Sequence, residues 1–150
     1  MYDAIVAVAA AFGGSALTGT LTALDRRADR RAREATERRK DLMQAVSRLS
    51  TSLADHRSAM WHREELKLRD AHPDIVAGAT ALSHDTRSEI TAPLNLVCML
   101  AHELAPIARD AAEATYALRD PGDKATLDRL RIAAREASVR LVDATAHYIR

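Results

Sequence analysis

The chain has 150 residues, 22 of them basic and 21 acidic, and a formal net charge of +1. That balance assigns no polyanionic partner by itself. A single cysteine excludes an intrachain disulfide, and 5 glycines, 4 prolines and 3% aromatics argue against a strand-rich fold.

The first predicted element is defined by missing charge. No ionisable side chain occurs from Ala4 to Leu24. About 20 uncharged residues are what one helical crossing of a bilayer requires. A basic run follows at once: Arg26, Arg27, Arg30, Arg31, Arg33, Arg38, Arg39 and Lys40. Basic residues abutting an apolar helix hold that end in the cytoplasm. The expectation is a single transmembrane helix over residues 1–24, with its N-terminus outside and a cytoplasmic body. A basic juxtamembrane helix over 25–40 would hold anionic lipid, at about 1 kcal/mol per basic residue. Ala10, Gly14 and Thr18 recur every four residues, a spacing that lets two helix backbones approach in lipid and points to a homo-oligomer. The competing reading is a soluble module whose first helix is buried in a bundle or dimer. Binding of nucleic acid through the basic run is a third reading. It is disfavoured because no reader motif and almost no stacking aromatics accompany the charges.

Residues 41–150 form the predicted helical body. No proline or glycine occurs from Asp25 to His72, which predicts one long helix continuous with the anchor. Leu42, Val46, Leu49, Leu53, His56 and Met60 alternate in steps of four and three, with Ala28, Ala32 and Ala35 projecting the line backwards. This is a seam for packing against another helix. Pro73 starts a second helix with a stripe at Ile75, Ala79, Leu82, Thr86 and Ile90. Pro93 is expected to kink or restart it, with Thr91 as a cap, and Pro106 to do so again. Asp120, Pro121, Gly122 and Asp123 form the clearest turn, and Asp123 caps a last helix. Leu127, Leu130, Ala134, Ala137, Leu141, Ala144 and Tyr148 give that helix its apolar stripe. The fold class is therefore all-α: a transmembrane helix continuing into a long helix, then an up-and-down antiparallel bundle of about four helices.

Catalytic chemistry is not evident. Six histidines form no zinc pattern, and the metalloprotease-like start His102–Glu103 meets Pro106 where a histidine would be needed. No nucleophile triad or phosphate-cradling glycine loop appears, so neither an enzyme activity nor a cofactor is expected. Two polar clusters stand out, one from Asp55 to Glu64 around the sole tryptophan, Trp61, and one from Ser83 to Glu89. If their helices pair, Arg57, Arg63 and Arg87 could bond Asp55, Asp85 and Glu89 and fix helix register. The sharper reading makes Asp55, Arg57, Trp61, Arg63 and Arg87 a partner-binding face anchored by the tryptophan.

The order of an apolar helix, an arginine-rich stretch and the segments ADHRSAMWHRE, SHDTRSEITAP and ATYALRD resembles the small KilB-type spread proteins of actinobacterial conjugative plasmids. The resemblance spans nearly the whole chain. It implies a membrane-associated accessory to plasmid transfer, working with another membrane or transfer-apparatus protein, and carries no catalytic residue over to this sequence.

Overall fold

A computed structural model describes the backbone of residues 3–150 and the side chains of residue 27 and residues 29–150. Helix α1 spans Asp3–Leu68, α2 Pro73–Leu100, α3 Ala105–Tyr116 and α4 Lys124–Tyr148, with a 3₁₀ turn at His102–Leu104. Among the described residues there is no strand. Residues 1–38 and 39–150 form two compact units. Ala10, Gly14, Thr18 and Arg26, expected to mediate helix association and lipid contact, lie outside the described side chains. In the first unit, Arg27, Arg30, Arg31, Arg33 and Arg38 are exposed.

The membrane reading is corrected here. Among the described residues no helix is long and apolar enough to cross a membrane. The transmembrane anchor over 1–24, the single-pass cell-membrane location and the attached role in lipid binding are therefore not supported. A physical weakness was present in the sequence: alanine, glycine and threonine dominate residues 4–24, and they contribute little of the transfer free energy that insertion needs.

The second unit is built on the seam of α1. Leu42, Val46, Leu49, Leu53, His56 and Met60 are all buried, while Ala32 and Ala35 are exposed, so the seam begins at Leu42. Leu49, Leu53, Ile90 and Leu141 share one core with Val97 and a set of alanines, Ala108, Ala111 and Ala137 among them. A smaller cluster joins Met60, Leu118, Leu127 and Ala134. Each buried leucine or isoleucine contributes about 1.5–3 kcal/mol, and each alanine much less. The few large side chains therefore carry this core.

Side-chain ties give the direction of each helix. Arg63 meets Ser83 and His56 meets Thr86, so α2 runs antiparallel to α1. Trp61 meets Asp128 and Arg57 meets Ser138, so α4 also runs against α1. His56 contacts Tyr116, and further along α1 Lys67 contacts Asp120, so α3 runs with it. The body is an up-and-down bundle.

Chain breaks follow local chemistry. After α1, Asp70 adopts φ 52° and His72 caps α2, its Nδ1 accepting from the Asp74 amide at 3.3 Å. Pro93 lies inside α2, which continues to Leu100 instead of restarting. Proline removes only its own donor, and the carbonyl it strands belongs to Glu89, an exposed residue that water can reach. The actual break comes at Ala101, at φ −144° and ψ 87°, before Pro106 enters the first turn of α3. Asp120 at φ 48° and Gly122 at φ 79° form the last turn. Asp123 Oδ1 accepts from the Thr126 amide at 2.7 Å, which holds its carboxyl below the usual carboxylate range.

Candidate functional site

The polar residues of α1 converge on α2 and α3 where the seam passes from leucines to His56. Arg63 and Glu64 are both buried, at 4% and 1% exposure. Arg63 binds Glu64 Oε1 through Nη2 and through Nε at 2.8 Å. Its Nη1 donates to Ser83 Oγ at 2.9 Å, and the Ser83 hydroxyl in turn donates to the Thr80 carbonyl at 2.8 Å. Lys67 approaches the same Glu64 oxygen at 3.3 Å and Asp120 at 3.2 Å. The pair thus links α1 to α2 and to the turn before α4. Breaking such a pair from one side leaves a buried charge uncompensated, which costs far more than the intact pair contributes.

His56 lies one layer away, fully buried, with Nδ1 3.0 Å from Thr86 Oγ1. The Thr86 hydroxyl is 3.0 Å from the Leu82 carbonyl and 3.3 Å from that of Ser83, so its proton is engaged there. Thr86 therefore accepts, and His56 donates from Nδ1 as the neutral tautomer. Burial and then the positive charges of Arg87 and Arg63 lower the His56 pKa to about 4. The His56 ring meets Tyr116 edge-on at 5.7 Å, and Arg87 lies over the same tyrosine at 4.5 Å. Burial raises the Tyr116 pKa, opposed by Arg87. A cavity of about 260 Å³ opens above this layer, bounded by His56, Arg63, Ser83, Arg87, Tyr116 and Arg119.

The sequence-predicted face is divided between two sides of α1. Arg63 and Arg87 line that cavity. Trp61 and Arg57 instead pack on α4. The Trp61 indole donates to Asp128 Oδ1 at 3.0 Å, and its ring is flanked by Lys124 at 4.1 Å and Arg131 at 4.6 Å. The indole bond first, and then Lys124, hold the Asp128 carboxyl below its usual range. Arg57 reaches Ser138 at 3.4 Å, its pKa lowered by burial and then by Arg131 and Arg135. Asp55 is exposed. Among the described residues, Asp55, Asp85 and Glu89 form no ion pair with Arg57, Arg63 or Arg87; Arg63 takes its own neighbour Glu64 instead. Sequence reasoning missed Glu64 as that partner, and also Tyr116 and Arg119. Glu64 stood in the first polar cluster without a signal for its pairing, and Tyr116 and Arg119 had none beyond their place in the segment ATYALRD.

A second concavity lies between α1 and α4. It has a volume of about 600 Å³ and is lined by Met43, Val46, Ser50, Val142, Thr145 and Ile149 with other small residues, none of them ionisable. Met43 and Val142 are about half exposed, at 51% and 47%. Ser50 Oγ is buried without a hydrogen-bond partner.

Comparison with known proteins bears on the region holding both concavities. The KilB plasmid transfer protein family matches residues 43–149. Protein KilB of Streptomyces lividans is 43% identical over 146 residues, covering 97% of each chain. No solved structure matches.

Proposed function

This chain belongs to the KilB family of plasmid transfer proteins, and on that premise we propose that it acts without catalysis, as a docking protein of the transfer apparatus. Its occupant is an apolar helix face of another transfer protein, laid into the groove between α1 and α4. The observation carrying this reading is the lining of that groove. It is uncharged along its whole length, so a charged partner face would lose hydration there without compensation. Ser50, Thr145 and their small neighbours let a helix backbone come close, while Met43 adapts to its shape.

Met43→Glu and Val142→Glu place a charge at half-exposed positions of the groove, where folding tolerates it. Plasmid transfer frequency from cells carrying the full-length variants is expected to fall at least tenfold, with the melting temperature of the purified chain within a few degrees of wild type. Undiminished transfer by both variants refutes the docking role.

A further inference from the structure

The cavity between α1, α2 and α3 has a property that packing does not require. Three guanidinium groups line it, Arg63, Arg87 and Arg119, against one carboxylate, Glu113. Arg63 is already neutralised by Glu64. Arg87 and Arg119 make no ion pair among the described residues. Arg87 Cζ lies over the Tyr116 ring at 4.5 Å, a contact with the π face that uses none of its N–H groups as donors to an oxygen, so they can serve a planar or tetrahedral oxyanion. His56 and Ser83 form the buried side of the cavity, and His84 stands at its exposed side.

We propose that this cavity is a binding site for a small phosphate or phosphate monoester, gripped by Arg87 and Arg119 and backed by Arg63. The charge count favours an anion: the two unpaired guanidiniums exceed the one lining carboxylate by one positive charge. At about 260 Å³ the space falls just below the usual range for small-molecule pockets. It admits a phosphoryl group with a small remainder and excludes a helix or a nucleic-acid duplex. Burial first, and then the charges of Arg87 and Arg63, lower the His56 pKa, so its ring serves as a probe for an anion bound in the cavity.

The test uses the full-length chain with inorganic phosphate and, separately, glycerol phosphate. Binding is followed by calorimetry and by titrating the His56 ring protons by NMR at constant ionic strength. Phosphate is expected to bind saturably, where chloride does not, and to move the His56 pKa upward by offsetting the arginine field. The groups facing His56 are Arg63 on its own helix, Ser83, His84, Thr86 and Arg87 on α2, and Glu113 and Tyr116 on α3. Arg87→Gln and Arg119→Gln, at exposed positions without ion pairs, are each expected to weaken binding at least tenfold. Arg109→Gln, exposed on α3 outside the cavity, is expected to leave it unchanged. Tighter binding of glycerol phosphate than of phosphate identifies a monoester as the ligand, and the reverse order identifies the free ion. Equal responses to phosphate and chloride, or wild-type affinity in both glutamine variants, overturn the proposal.

Discussion

His56 shows how one side chain ties stability to pH. An unfolded histidine titrates near 6.5, whereas burial and two arginines lower His56 to about 4. Between those values the unfolded chain takes up a proton that the folded chain refuses. The contribution of His56 is therefore complete above pH 6.5 and is lost as pH falls toward 4. By pH 4.5 the loss amounts to roughly 2–3 kcal/mol. Denaturant titrations at pH 7 and pH 4.5 should show this decrement in the wild type, and His56→Gln should lack that part of it. Arg63 makes a harsher case. Arg63→Met leaves the buried Glu64 carboxylate with only the Lys67 contact at 3.3 Å, and a loss of up to about 3–5 kcal/mol is expected. Replacing both members, Arg63→Met with Glu64→Leu, should recover much of it, and a double-mutant cycle by chemical denaturation measures the difference. Neither partner choice was legible in the sequence. Both arginines and carboxylates were visible, but adjacent residues on a helix point about 100° apart, and only the length of the arginine side chain brings Arg63 back onto Glu64.

At the scale of the element, α1 was the most legible part of the chain because its core positions recur in heptad-like spacing and all but His56 are large apolar side chains. Leu53 lies in the middle of that seam with no exposure. Leu53→Ala should cost about 2–5 kcal/mol, read as a lowered denaturation midpoint. Helix α2 was legible in part. Ala79 and Ile90 of the sequence stripe are buried and Thr86 meets His56, but Ile75 and Leu82 are about half exposed, and Ser83 and Val97 face inward as well. Ser83, next to Leu82, takes the inward place and meets Arg63, a polar contact that a stripe of apolar residues does not show. The capping of α4 was legible because Asp123 follows a turn signal and precedes a clean amphipathic run. Asp123→Ala should lower stability by removing the cap bond to the Thr126 amide, read as a lowered denaturation midpoint. Pro93 misled because a proline reads as a break, whereas the carbonyl it strands, that of Glu89, belongs to an exposed residue.

For the molecule as a whole, charge segregation was the strongest signal in the sequence, and it supported a membrane span that the described helices do not provide. The family and the helical bundle were recognised correctly, because the first rests on whole segments and the second on periodicity. The concavities were not legible. Each is lined by residues from helices far apart in sequence, and no spacing rule relates Met43 to Val142 or Arg63 to Arg119. No residue lines both, which separates their roles experimentally. Met43→Glu should leave phosphate affinity at the wild-type value while reducing transfer, a pairing checked by running calorimetry and mating assays on the same variant.

The chain has one tryptophan, and its ring is wedged between two cations of α4 with its nitrogen tied to an acid between them. Its emission spectrum is consequently an optical gauge of a single joint. Peeling the last helix away from the first would free the indole to water and shift its fluorescence to the red, without any added dye.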